Sequence, residues 1–121
     1  MARLTRSFVY AFNGIWLCIF KEANFKIHIL VSVIAIIMGA IFNISNIEWV
    51  IIIGCIVFVL SMEMINTAIE QLCNVVHKEE HPGIKATKDI AAGAVLVSAF
   101  GAFLTGSIIF FPKILSFIQT T

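Results

Sequence analysis

Hydrophobic positions along the chain fall into one stretch with a four-residue period followed by three long apolar runs, with short polar segments between them. In the first stretch, about residues 3–20, Phe8, Phe12, Trp16 and Phe20 recur every four residues with Val9, Ile15 and Ile19 beside them, behind Arg3 and Arg6. That spacing gathers the aromatics on one face, the pattern of an amphipathic helix lying on a membrane surface. A cleaved signal would also begin basic and turn apolar, but Asn13-Gly14 interrupts the run and no small-residue cleavage site precedes Lys21. A polar link from Lys21 to Lys26 leads to a span over about 27–47 that carries no formal charge. Its length matches the roughly 20 residues a helix needs to cross a bilayer. The connector Asn43-Ile44-Ser45-Asn46 is rich in turn formers, and Glu48-Trp49 anchors the return helix at the interface. The second span, about 49–74, runs without charge until Glu63; a polar loop from His77 closes at Pro82-Gly83; and the third span covers about 87–112.

Composition turns this pattern into a class. Of 121 residues, 60% are hydrophobic and 12% charged, outside the range of a soluble domain. The reading is an all-α membrane protein with one surface helix and three transmembrane helices, forming a single domain over 1–121. A net charge of +1 from scattered Lys and Arg offers no basic face, so nucleic acid is not among the expected partners. Cys18, Cys55 and Cys73 sit in apolar surroundings and read as packing residues. Positive charge lies before the first span and between the second and third, with none in the connector from the first to the second. The positive-inside rule then makes the N-terminus and the 77–89 loop cytoplasmic and leaves Lys113 and Glu48 outside.

One feature of the second span is not explained by lipid. Glu63, Asn66, Thr67, Glu70 and Asn74 project from one side of a helix. Counted from Trp49 at 1.5 Å per residue, Glu63 lies roughly 21 Å from the outer boundary, within a hydrocarbon layer about 30 Å thick, and Glu70 lies about 10 Å further in. A carboxylate at such depth costs a few kcal/mol, which makes it a functional candidate. Two kinds of chemistry use carboxylates at a membrane. In phosphoryl transfer to a lipid alcohol, oxygen ligands hold Mg²⁺, a lysine offsets phosphate charge and a desolvated carboxylate accepts a hydroxyl proton. In a small oligomeric cation or proton-coupled transporter, the glutamate binds the substrate or a proton. The stripe's bias toward the cytoplasmic side, rather than the midplane, favours the first. His77-Lys78-Glu79-Glu80-His81 matches a zinc-protease string, but Pro82 follows at once and Asp89 is the only downstream acid. No Walker A string or kinase glycine loop is present.

The string Glu63-Met64-Ile65-Asn66-Thr67-Ala68-Ile69-Glu70, followed by Ala86-Thr87-Lys88-Asp89, resembles the signature of the prokaryotic diacylglycerol kinase family. The resemblance takes in nearly the whole chain, from Ala11-Phe12-Asn13-Gly14 through the 21–28 entry to the first span, the 79–82 loop and the Phe111-Pro112-Lys113 ending. Tyr10 to Gly14, His28 and that ending look more like the undecaprenol kinase branch than the enteric diacylglycerol kinases. The resemblance implies a homotrimer in the bacterial inner membrane with sites shared between subunits. It also implies ATP as phosphoryl donor and either undecaprenol or, as the alternative, diacylglycerol as acceptor. Matched residue by residue, it casts Glu63 as the catalytic base, Glu22 and Glu70 as Mg²⁺ ligands that also meet ATP, and Asn66 as the supporting amide of the lipid site. Arg3, Tyr10, Glu79, Glu80, His81, Lys88 and Asp89 match positions that contact the nucleotide. Taken from the residues alone, Glu22, Glu79 and Glu80 read equally well as solvated charges, and Lys88-Asp89 as a charge pair at a helix start. Asn74 stands where the family has Asp and His28 where the enteric enzymes have an acid, so no charge role carries over to either.

Overall fold

A computed structural model of the chain describes residues 1–77, 79 and 81–120. The described residues are helical almost throughout, with α1 at Ala2–Lys21, α2 at Ala23–Ile41, α3 at Asn46–Val76 and α4 at Pro82–Thr120. The last three are long and apolar enough to cross a membrane. Most of their large side chains, such as Leu30, Val31, Phe58, Leu96 and Phe103, point outward from the single chain. A helix satisfies its own backbone, so an apolar exterior is stable in lipid where it is not in water.

The polar link between the first two helices is shorter than its composition suggests. Glu22 alone leaves helical geometry, with φ −105° and ψ 113°. Its N–H donates to the Cys18 carbonyl at 3.1 Å to close α1, and its own carbonyl accepts from Lys26 at 3.2 Å to open α2. Phe25 is only 3% exposed, and burying its ring draws the rest of the link into α2. Glu22 therefore stands at a one-residue corner.

At the other end of α2 the chain turns by a Schellman motif. The Ile44 N–H reaches the Gly39 carbonyl at 3.1 Å and the Asn43 N–H the Ala40 carbonyl at 3.3 Å. Asn43 takes the left-handed conformation this needs, φ 53°, which asparagine tolerates better than most residues. Ile44 folds inward, and Ser45 caps α3 in a reciprocal box. Its hydroxyl accepts from the Glu48 N–H at 3.2 Å, while the Glu48 carboxylate accepts from the Ser45 N–H at 3.0 Å.

Glu48 has a second partner, Lys113 Nζ at 3.0 Å, which ties the start of α3 to the far part of α4. Beneath this tie Ile44, Ile52, Ile109 and Phe110 form the apolar core. Pro112 lies within α4 without ending it. Proline removes one backbone donor, a defect that membrane helices accommodate.

The α4 helix also starts earlier than the span expected near 87. Pro82 occupies the first helical position, where its fixed φ is already suitable and its missing N–H is not needed. His81 Nδ1 accepts from the Gly83 N–H at 3.0 Å and caps the helix. The polar residues expected to close a loop instead begin a helix.

Candidate active site

Three of the four buried polar residues among those described lie together on α3, away from the apolar core; the fourth, Ser98 on α4, donates to the Val95 carbonyl. Glu63 on α3 is 2% exposed, with Asn66 at 6% and Thr67 at 4% beside it, all on the face turned toward the other helices. Asn66 is one turn beyond Glu63, so its side chain stands next to the carboxylate. Asn66 Oδ1 and Thr67 Oγ1 are buried without a hydrogen-bond partner among the described residues. In a folded protein such atoms are normally satisfied, so these two oxygens are open to a partner from beyond the described residues.

Three elements supply the groups around Glu63. From the start of α2, His28 directs Nε2 to within 3.6 Å of Glu63 Oε2. From the corner between α1 and α2, Glu22 is near enough to repel the Glu63 charge, and from about two turns further along α3 Glu70 does the same. Both are half-buried. Cys18, one turn before the corner, is buried in the same locality. Burial pushes its thiol above the ordinary cysteine value, and the nearby carboxylates of Glu22 and Glu63 add to the effect. The fold thus brings Glu22, from the corner, near Glu63 and Glu70, which share α3. No group of three His, Cys, Asp or Glu side chains closes into a metal cage among the described residues.

The remaining expected contacts lie outside this cluster. Lys88 is half-buried on α4 and donates to Asn74 Oδ1 at 2.5 Å, joining α3 to α4. Asp89 is exposed and paired with Lys85 at 2.6 Å. Arg3 and Tyr10 are exposed on α1, and among the described residues no hydrogen bond or ion pair of their side chains ties them to the carboxylates. Glu79 is exposed and its backbone carbonyl accepts from His77 Nδ1 at 2.6 Å, while His81 serves as the α4 cap. Glu80 lies outside the described residues. His28 was not assigned a role from the sequence. Its signal is the position itself, six residues past Glu22 on the next helix, and only the packing of α2 on α3 reveals its partner.

Two cavities adjoin the cluster. One of about 270 Å³ lies between α3 and α4, with Asn66 and Thr87 on its wall. The other, about 530 Å³, is a long apolar groove between α2, α3 and α4 that has His28 at its polar end.

A helical membrane protein that places a buried carboxylate beside a histidine lining an apolar groove has the parts to act on the head of a lipid. Comparison with known proteins gives the class. The family model of prokaryotic diacylglycerol kinase matches residues 9–110. The undecaprenol kinase of Bacillus subtilis is 41% identical over 112 residues, covering 93% of this chain and 91% of its own. The diacylglycerol kinase of Synechocystis is 32% identical over 91% of this chain and 63% of its own, and that of Escherichia coli 24% identical over 88% of each. The chain belongs to the prokaryotic diacylglycerol kinase family. It is a multi-pass membrane lipid kinase, and as a kinase it uses ATP.

Proposed function

We propose that the protein transfers the γ-phosphoryl group of ATP to the hydroxyl of undecaprenol, at the cytoplasmic face of the bacterial inner membrane. The observation that carries the chemistry is the Glu63 carboxylate, buried at the end of the apolar bundle among groups from three elements. The choice of lipid is supported by the 41% identity to an undecaprenol kinase, against 32% and 24% for the two diacylglycerol kinases. Glu63 Oε accepts the hydroxyl proton as the alcohol oxygen bonds to the γ-phosphorus. The bond from that phosphorus to the β,γ-bridging oxygen breaks, and ADP leaves with the electron pair.

Glu22 and Glu70 are the residues suited to hold Mg²⁺. Their carboxylates are hard oxygen donors that repel Glu63, and a divalent cation relieves that repulsion. Magnesium usually takes one or two carboxylates and completes its shell with phosphate and water, so a closed protein cage is not required. When bound, the ion neutralises charge on the transferring phosphoryl group. Asn66 supports the lipid site beside Glu63. Lys88, Asp89, Arg3, Tyr10, Glu79, Glu80 and His81 are assigned to the nucleotide.

The active assembly in this reading is a homotrimer with α1 flat on the membrane. Among the described residues the Asn66 and Thr67 oxygens have no hydrogen-bond partner and the Arg3 and Tyr10 side chains are not tied to the carboxylates, as expected for one protomer of a site completed by a neighbouring subunit. The N-terminus and the 77–89 loop face the cytoplasm, where ATP is supplied.

The test is phosphorylation of undecaprenol and diacylglycerol in direct competition, with labelled ATP and the purified full chain in mixed micelles. Undecaprenol is expected to take most of the label, and Glu63→Gln to lower turnover by at least about 100-fold, the lower end of what a general base contributes. Preference for diacylglycerol overturns the lipid assignment. Near wild-type turnover in Glu63→Gln overturns the base assignment.

A further inference from the structure

The His28 imidazole meets the buried carboxylate with a particular spacing. His28 Nε2 and Glu63 Oε2 are 3.6 Å apart, longer than the 2.7–3.2 Å of a direct N–H···O bond. An oxygen atom about 2.8 Å from each closes a triangle on that edge. The pair is therefore spaced to share a hydroxyl rather than to satisfy each other.

The surroundings state which hydroxyl fits. His28 and, on α3, Val59 line the large groove, and Glu63 lies one helical turn past Val59, beyond the groove wall and within reach of the His28 ring. The two serines on the groove wall do not offer their donors to it. Ser32 donates to the His28 carbonyl at 2.7 Å and Ser107 to the Phe103 carbonyl at 2.8 Å. From the His28 end the groove is thus hydrocarbon with a thiol, Cys55, on one side. Among the described residues the groove wall beyond His28 offers an ester carbonyl only the weak Cys55 thiol donor, which disfavours burying a glycerol ester there because buried polar groups without partners are costly. A prenol carries hydrocarbon directly up to the carbinol carbon.

We propose that His28 is a positioning residue for the phosphoryl acceptor, its imidazole and the Glu63 carboxylate together holding the hydroxyl of a prenol-type lipid alcohol whose chain enters the groove between α2, α3 and α4. This rests on the kinase reading above and adds the residue and the slot that place the acceptor. The Ser32 bond fixes the first turns of α2 and with them the ring. Glu63 remains the group that accepts the proton; His28 supplies an N–H to the acceptor oxygen and keeps it in line with the γ-phosphorus.

The experiment compares His28→Ala and His28→Gln, alone and combined with Glu63→Gln, in the full-length protein with undecaprenol and labelled ATP. His28→Ala is expected to lower kcat by about 100-fold, the usual consequence of a misplaced reacting group, with KM for ATP unchanged. His28→Gln, which keeps an N–H donor at similar reach, is expected to recover at least tenfold of that loss, which a packing role alone does not predict. In the Glu63→Gln background His28→Ala is expected to add little, because the two act as one unit. An undiminished kcat for His28→Ala, no recovery by His28→Gln, or full additivity with Glu63→Gln overturns the proposal. Ala102→Phe, which projects a ring into the groove, is expected to raise KM for undecaprenol while leaving KM for ATP unchanged. An unchanged lipid KM with an altered oligomer size means that a second copy fills the groove, and overturns the lipid assignment of that surface. If the wild-type protein phosphorylates neither lipid, the kinase reading itself fails. If it is active and His28→Ala is too, only the positioning role does.

Discussion

The close approach of α2 and α3 at Gly39 sets the register that brings His28 to Glu63, and it can be tested by a single methyl group. A Cβ built on Gly39 falls 2.7 Å from Trp49 Cη2, 3.0 Å from Trp49 Cζ2 and 3.1 Å from Ile44 Cδ1. The indole is rigid and packs on the apolar core, so it does not move aside freely. Overpacking of this kind costs about 1–3 kcal/mol, whereas replacing a helical glycine by alanine gains at most about 1 kcal/mol in helix propensity, and less in the last turn of α2 where Gly39 sits. The steric effect wins, and Gly39→Ala is expected to destabilise by about 1 kcal/mol net. Gly54, in the middle of α3, has nothing within 4 Å of its built Cβ, so Gly54→Ala keeps the propensity gain alone. The same substitution at two glycines should therefore act with opposite signs, separated by about 2 kcal/mol. Unfolding in mixed micelles followed by far-UV circular dichroism measures both. Because Gly39 is eleven residues from His28 on one helix, Gly39→Ala should also lower kinase turnover without touching the site. Equal shifts for the two variants would show that the Trp49 contact does not constrain α2.

Two further outcomes follow from other parts of the structure. Glu70→Ala should sharply raise the Mg²⁺ concentration needed for half-maximal turnover, since it removes one of the two oxygen ligands proposed above, and an unchanged metal dependence in the same kinase assay removes Glu70 from that role. Ser45→Ala removes the hydroxyl that caps α3 and should lower stability in micelles by about 1 kcal/mol with KM for ATP unaltered; an unchanged unfolding midpoint would mean the cap does not contribute to stability at that end.

Three apolar helices were legible because crossing hydrocarbon imposes a length and an absence of charge that show directly in residues 27–47 and around the other two spans. Glu63 was legible for the same reason in reverse, since a carboxylate in that setting has no cheap bland explanation. The four-residue aromatic step likewise made α1 readable as a helix before any contact was known. Less was visible at the ends of elements. The link at 21–26 contracts to Glu22 because Phe25 is buried, and Pro82-Gly83 begins α4 because His81 caps it. Neither outcome follows from turn preferences, which describe isolated peptides and not the burial that overrides them.

By itself the sequence determined the class of protein, the number of spans and the carboxylate on which the chemistry is proposed to turn, because periodicity, charge and depth are properties of position along the chain. Only the tertiary structure decided that Glu22 stands at a corner beside Glu63, that Lys113 reaches back to Glu48, and that His28 faces the buried acid. Those pairings join residues 41, 65 and 35 positions apart. Which face of one helix meets which face of another depends on a crossing set by contacts as small as the gap over Gly39, and no local pattern encodes that crossing.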